Sequence, residues 1–275
     1  MRPIDRKWLG AILLFFMSLI IGAAAPTIAH AQYWADVRLA GPFVVRADFS
    51  LSEYTVLLGE LSQLQTDLSR SLGIHRPNER IDLYLFQSEK SYRAYLKRYY
   101  TKLPYRRALF IKENGPGKVL AHRNSEFAID IRHECTHALL HAAMPMVPLW
   151  LDEGLAEYFE LPPNKRAYDN PYQKSVKWPI RLGLLKSIER LEQEDDFTKM
   201  SRTDYRDSWA WVHFMLHGPI EAHHELIRYL ADIQAHTPPG RLSRRLARRI
   251  PNPRSALAKH FGDWKKPKEE RIAHR

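Results

Sequence analysis

One cysteine, Cys135, stands in 275 residues, so no disulfide can close within the chain. No internal repeat is visible, which argues against a solenoid or propeller array. Net charge is missing from the middle. The formal +11 divides into +2 over residues 1–31 and +9 over residues 241–275, leaving residues 32–240 neutral. The high pI therefore belongs to the two ends and does not argue for nucleic-acid binding by the central part. No cysteine follows the apolar run near the N-terminus, which argues against a lipoprotein. Glycine and proline are absent from residues 126–143, so that stretch is free to be one uninterrupted helix.

The composition, 45% hydrophobic and 27% charged, suits one compact unit with a small appendage. Arg2, Arg6 and Lys7 precede the apolar run Leu9–Ala25, then Pro26 and the A-x-A pattern Ala29-His30-Ala31. This reads as an export signal over residues 1–31 with a mature chain from Gln32, in the periplasm or secreted. An uncleaved membrane anchor is the alternative, because the run approaches spanning length.

Residues 32–125 alternate strand and helix signals. Phe43–Arg46, Ile81–Phe86, Ala108–Ile111 and Lys118–His122 read as strands, the last two as a hairpin around Asn114-Gly115-Pro116-Gly117. Ser52–Leu72 carries a leucine stripe closed by Gly73, and Ser88 caps a helix to Tyr100. If the second hairpin strand is a sheet edge beside the site described next, it could hold an extended peptide. Further on, residues 164–181 read as a loop or flap, Leu182–Leu191 as a helix, and Glu192, Glu194, Asp195 and Asp196 as a solvated helix end. Two more helices are broken at Gly218-Pro219, and a last short one runs from Asn252 to about Trp264. The apolar residues Ile250, Leu257, Phe261 and Trp264 predict that part of the basic segment 241–275 docks on the domain. Its cations could otherwise meet an anionic envelope surface.

The chemistry concentrates at His133-Glu134-Cys135-Thr136-His137. On a helix, residues four apart share a face, so His133 and His137 can direct imidazole nitrogens at one ion. Glu134 sits one step round, where a carboxylate can act as base on a water in an open position. Cys135 lies about 200° from His133 at ~100° per residue and reads as core packing. A third ligand is needed, and His141, Asp152, Glu153, Glu157 and Glu160 are the downstream candidates. His141 is about 12 Å from His133 along the axis, too far to share an ion, and reads as a packing or supporting residue. The carboxylates fall on a second helix, Leu149–Glu160, which the prolines at 145 and 148 can fold back over the first. Glu153 can then take the metal, with Gly154 permitting close helix approach. Glu157, one turn on, can accept the N–H of a ligating histidine.

H-E-x-x-H followed by W-L-x-E-G-x-A-E-Y resembles the gluzincin, or peptidase MA, zinc metallopeptidases. It most resembles the small bacterial domains of the DUF1570 type. The resemblance implies Glu153 as third zinc ligand and Glu157 as the carboxylate supporting a histidine. Tyr205, followed by Ser208 and Trp209, stands where aminopeptidase-like members carry a tyrosine that donates to the oxyanion, although Trp209 is bulky where those enzymes have alanine. His213 and His217 are rivals for the same task. No G-x-M-E-N motif precedes the metal helix, so chain-end trimming is not implied.

The expectation is an α+β protein: a small N-terminal mixed sheet with helices, then a mainly helical zincin subdomain through residue 240 and a basic helical tail over 241–275. The expected activity is zinc-dependent peptide hydrolysis, with Zn2+ on His133, His137 and Glu153, Glu134 as general base and Tyr205 assisting, on a peptide or protein substrate. The alternative is a zincin-like domain that binds a peptide or envelope partner without catalysis.

Overall fold

Strands β1 (Asp36–Ala40) and β2 (Phe43–Ala47) pair antiparallel across a tight turn at Gly41, which adopts φ +58°. A side chain at Gly41 would also press on the backbone of Ser62 at 3.0 Å, so glycine is required there twice over. The computed structural model describes residues 34–76, 78–113 and 115–266. The export segment expected over 1–31 lies outside the described residues, and residues 34–266 belong to one compact unit.

The sheet runs β1-β2-β3-β5-β4, with β3 at Ile81–Phe86, β4 at Ala108–Ile111 and β5 at Lys118–His122. Parallel pairings join β2 to β3 and β3 to β5, and antiparallel pairings close both ends. The parallel steps need crossovers. The first is α1 (Thr55–Leu72), whose Leu57, Leu61, Leu64 and Leu68 are buried and whose end is capped by left-handed Gly73. The second contains α2 (Glu89–Tyr99), started by a capping box at Ser88 and Ser91.

Period-two alternation sorts the side chains between two faces. Val119 and Ala121 of β5 join the main core with α1 and α3 (Phe127–Ala143), while Leu120 joins Tyr92 and Leu96 of α2 on the opposite face. The tyrosines of α2 thus divide between core, at buried Tyr92, and rim, at Tyr95. Strand β1 was not foreseen: it is short, and its apolar Val37 and Leu39 face solvent while the half-buried face carries Asp36 and Arg38.

Helix α3 ends at Met144, and α4 (Leu149–Phe159) starts straight after Pro148. The region read as a loop over 164–181 contains two short helices, α5 (Tyr172–Ser175) and α6 (Lys177–Arg181). The helix expected over Leu182–Leu191 shrinks to α7 (Ile188–Leu191), because Gly183 turns left-handed at φ +65°. Then follow α8 (Arg202–His217), α9 (Ile220–Gln234), α10 (Leu242–Arg249) and α11 (Pro253–Asp263). The molecule is α+β, a mixed sheet followed by a mainly helical half. Residues 241–263 dock through buried Leu242, Leu246, Leu257 and Phe261. Glu192 accepts from the backbone N–H and hydroxyl of Ser243 at 3.0 and 2.6 Å. One member of the expected solvated acidic run therefore holds the start of α10.

Candidate metal centre

Helix α4 packs deep against α8 at Gly154, where a Cβ would lie 2.7 Å from the carbonyl oxygen of Ser208. Gly154 thus opens the approach to α8. The small Ser208 answers it from the other side, while Trp209 turns away toward Tyr172, His213 and Phe261. At the other end, buried Arg132 of α3 binds Glu60 of α1 at 2.7 and 3.0 Å. It also donates to the backbone carbonyl of Glu160 at 3.0 Å. These two contacts fix how α4 lies along α3.

The result is a triangle of donor atoms. His133 Nε2 and His137 Nε2 are 3.1 Å apart, and Glu153 Oε2 lies 3.4 Å from the first and 3.6 Å from the second. Bonds of about 2.0–2.1 Å in a tetrahedron put donor atoms roughly 3.3 Å apart, so the residues present fit zinc. The chemistry of the set agrees. Two ring nitrogens and a carboxylate oxygen converging on one point repel one another unless positive charge sits between them.

The far ring nitrogens are also engaged. His133 Nδ1 lies 3.1 Å from Glu160 Oε2. His137 Nδ1 lies 3.0 Å from Asp152 Oδ1, close enough for an ion pair although off the line of a straight hydrogen bond. Asp152 Oδ2 reaches His141 Nε2 at 2.9 Å. Carboxylates on the remote nitrogens set the tautomer and orientation of both rings. Sequence reasoning assigned this support to Glu157. The structure places Glu157 near His133 but puts Glu160 in contact with its Nδ1, and the carboxyl of Glu157 faces Tyr172. The Asp152 link to His137 was missed. Its signal was present, a carboxylate adjoining Glu153 in the chain.

Without an ion the rings hold protons instead. Burial lowers the pKa of His137, but Asp152 and Glu153 outweigh it and push it up to about 10. The same contest leaves His133 well above an ordinary imidazole, through Glu153 and Glu160. Glu153 is held well below a normal carboxylate: burial opposes this, and His133 and His137 prevail. Glu157 is pushed up to about 8, by burial first and then by the charge of Glu160. Either protons or a metal ion satisfies this buried, carboxylate-rich nest.

A cleft of about 380 Å3 opens beside the triangle, lined by Glu134, His133, His137 and Glu153 together with Leu109, Phe110, Leu149 and Tyr205. Glu134 and His133 also line a neighbouring cavity of about 350 Å3 with Arg106, Glu157 and Glu160. Burial, then the charge of Glu153, raises the pKa of the Tyr205 hydroxyl, so it keeps its proton and can donate. Arg106, which sequence reasoning did not single out, lines both cavities, and its charge works against the upward shift of Tyr205.

His213 and His217 are not among the residues lining the cleft. They sit with His260 and Trp264 in an aromatic cluster between α8 and α11. Cys135 is fully buried, and burial raises its thiol pKa well above normal, which makes it core. The second hairpin strand proves to be an internal strand and not a sheet edge. β5 is paired on both sides, and the outer strand on that side is β4, whose Leu109 and Phe110 line the cleft.

No protein-family model and no curated protein matches the chain. Solved zinc metallopeptidases do. The chain is similar to the M1 zinc metallopeptidase from Deinococcus radiodurans, at 18% identity and a TM-score of 0.45, covering 85% of this chain and 52% of that one. A glutamate-to-alanine mutant of that enzyme aligns at 18% identity and a TM-score of 0.46. The mutant bound to a Tyr-Ser-Ala substrate aligns at 17% and 0.43, over 86% of this chain and 52% of that one. This chain spans about half the length of the solved chains it matches.

Proposed function

We propose that this protein is a zinc-dependent peptidase of the gluzincin kind, akin to the small bacterial DUF1570-type domains. Support comes above all from the near-equilateral triangle of His133 Nε2, His137 Nε2 and Glu153 Oε2, with Glu134 lining the adjoining cleft. When bound there, zinc supplies Lewis acidity, polarising a carbonyl and acidifying water so that it can attack near neutral pH. The protein does the rest. Glu160 and Asp152 hold the two rings so that Nε2 faces the triangle. Glu134 takes the proton of the attacking water and passes it to the leaving nitrogen. The Tyr205 hydroxyl donates to the carbonyl oxygen as charge gathers on it. β4 offers the backbone groups of an outer strand to an extended peptide, with Phe110 and Leu149 forming an apolar wall.

The test is metal analysis of the chain from Gln32 to Arg275, combined with cleavage of a mixed peptide library. The expected result is stoichiometric zinc, cleavage by the parent, and a Glu134→Gln variant that retains zinc while losing about a hundredfold or more in rate. Zinc without cleavage would identify a binding domain instead. Absence of zinc would remove the reading altogether.

We also propose that residues 1–31 direct export with cleavage near Gln32. Intact mass of the protein recovered outside the cytoplasm tests this, and a chain still carrying Met1 in the cytoplasm contradicts it.

A further inference from the structure

Three large apolar side chains stand in solvent within seven residues. Trp178, Leu182 and Leu184 are 66%, 62% and 68% exposed, although buried Val176 and Leu185 anchor the segment at both ends. Isolated exposed leucines are ordinary, but such a cluster on one short segment marks a contact surface. The turn that carries them is ordered by its own backbone. Leu182 N donates to Trp178 O at 3.0 Å, Gly183 N to Ile180 O at 3.1 Å and Leu184 N to Pro179 O at 2.7 Å. Gly183, left-handed and open on its Cβ side, throws the flanking leucines outward. Arg254 of α11 donates to the carbonyls of Gly183 and Leu185 at 3.0 and 2.9 Å. A segment with so many of its backbone groups satisfied internally can enter a poorly hydrated layer at low cost.

The charge carried by the segment itself has one sign. Residues 170–188 contain Lys174, Lys177, Arg181 and Lys186 and no aspartate or glutamate. Lys186 is paired with Asp204, but exposed Lys174, Lys177 and Arg181 remain on the segment. The Arg181 guanidinium rests 5.2 Å from the Trp178 ring. Tryptophan and leucine to enter the acyl boundary, with lysine and arginine to meet phosphates, are the components of an interfacial anchor.

We propose that the Lys174–Leu184 turn docks the protein on an anionic phospholipid bilayer. Trp178, Leu182 and Leu184 enter the interface, while Lys174, Lys177 and Arg181 lie at the level of the headgroups. The mode is lying on the membrane, with the three apolar side chains in the interface; among the described residues no helix is long and apolar enough to cross one. Docking itself does not depend on peptidase activity.

Sedimentation with vesicles tests this on the chain from Gln32 to Arg275, which leaves out the apolar run at Leu9–Ala25. Vesicles of equal parts phosphatidylcholine and phosphatidylglycerol are compared with pure phosphatidylcholine. The parent is expected to sediment with the anionic vesicles, less so in high salt, and not with the neutral ones. Replacing Trp178, Leu182 and Leu184 together by serine should lower the partition coefficient about tenfold or more, with an unchanged thermal melt. Lys174→Glu with Lys177→Glu should do the same while leaving the apolar residues in place. The proposal is overturned if the parent stays in the supernatant, or if the triple serine variant binds as the parent does. It is overturned equally if the parent is a dimer that the serine variant dissolves, which would make the patch a contact between two copies. Zinc content is read in parallel, so a protein that docks without zinc leaves this proposal standing while the peptidase reading falls.

Discussion

Asp152 spans two histidines, with one oxygen on His137 and the other on His141. A carboxylate in that position sets ring orientation for the metal, so Asp152→Asn should weaken zinc binding about 10–100-fold in a chelator competition. Glu160→Gln should act similarly through His133. Glu157→Gln should leave zinc affinity nearly unchanged, and equal losses for Glu157 and Glu160 would show that the observed contacts are not the ones that matter. The residue-level site was half legible in the chain. The i,i+4 histidines and the adjoining Glu134 follow from helical periodicity alone. The supporting carboxylate did not, because Glu157 and Glu160 both lie near the Glu153 face, about 40° to one side and 20° to the other at ~100° per residue. Periodicity cannot rank two such neighbours. Arg132, by tying the backbone of Glu160 to α3, does.

At the scale of elements, the α4–α8 contact positions Glu153 in the donor triangle. Gly154→Ala would place a methyl 2.7 Å from the Ser208 carbonyl, a backbone atom that cannot swing aside. We expect a loss of about 1–3 kcal/mol, read as a lower melting temperature, together with weaker zinc retention as Glu153 moves off the triangle. A melt equal to the parent's would show that α4 is free to slide. The α8–α11 contact is sensitive to acid. Burial holds His213 down to about 3 and His217 and His260 down to about 4, against 6.5 for a free ring. Their surroundings offer the Tyr158 hydroxyl to His217, the Ala167 carbonyl and Gln173 to His213, and the rings of Trp209, Phe261 and Trp264. None of these hydrogen-bond partners is a carboxylate. The undocked form therefore binds more protons between about pH 4 and 6.5, and α11 docking weakens as the pH falls through that window. Each tenfold change in proton affinity is worth about 1.4 kcal/mol. Melting temperature should drop across this range, and His260→Phe should flatten the dependence. A His260→Phe curve as steep as the parent's would place the acid sensitivity elsewhere.

For the molecule as a whole, the basic C-terminal segment is both charge and structure. Arg245 of α10 pairs with Glu225 and Asp232 of α9, and Glu225 also receives Arg228 and Arg249. Part of the +9 at this end is therefore neutralised internally. Leu242, Leu246, Leu257 and Phe261 are buried against the domain, each worth roughly 1.5–3 kcal/mol. Deleting residues 241–275 should thus yield an insoluble or early-melting protein. A deletion variant that melts with the parent would show the segment to be a detachable tail.

The sequence by itself determined what lies within a few turns of chain: the uninterrupted helix α3, the histidine pair, the proline break before α4, and the caps at Ser88 and Gly73. Those features depend on neighbours less than about ten residues apart, where backbone geometry is the whole constraint. Tertiary structure alone decided that β4 is the outer strand, that Glu160 and Asp152 hold the rings, and that His213 and His217 belong to an aromatic cluster with α11. Each of these depends on how elements dozens of residues apart are rotated against one another. Those rotations are set by contacts such as Gly154 on Ser208 and Arg132 on Glu60, which leave no periodic trace in the chain.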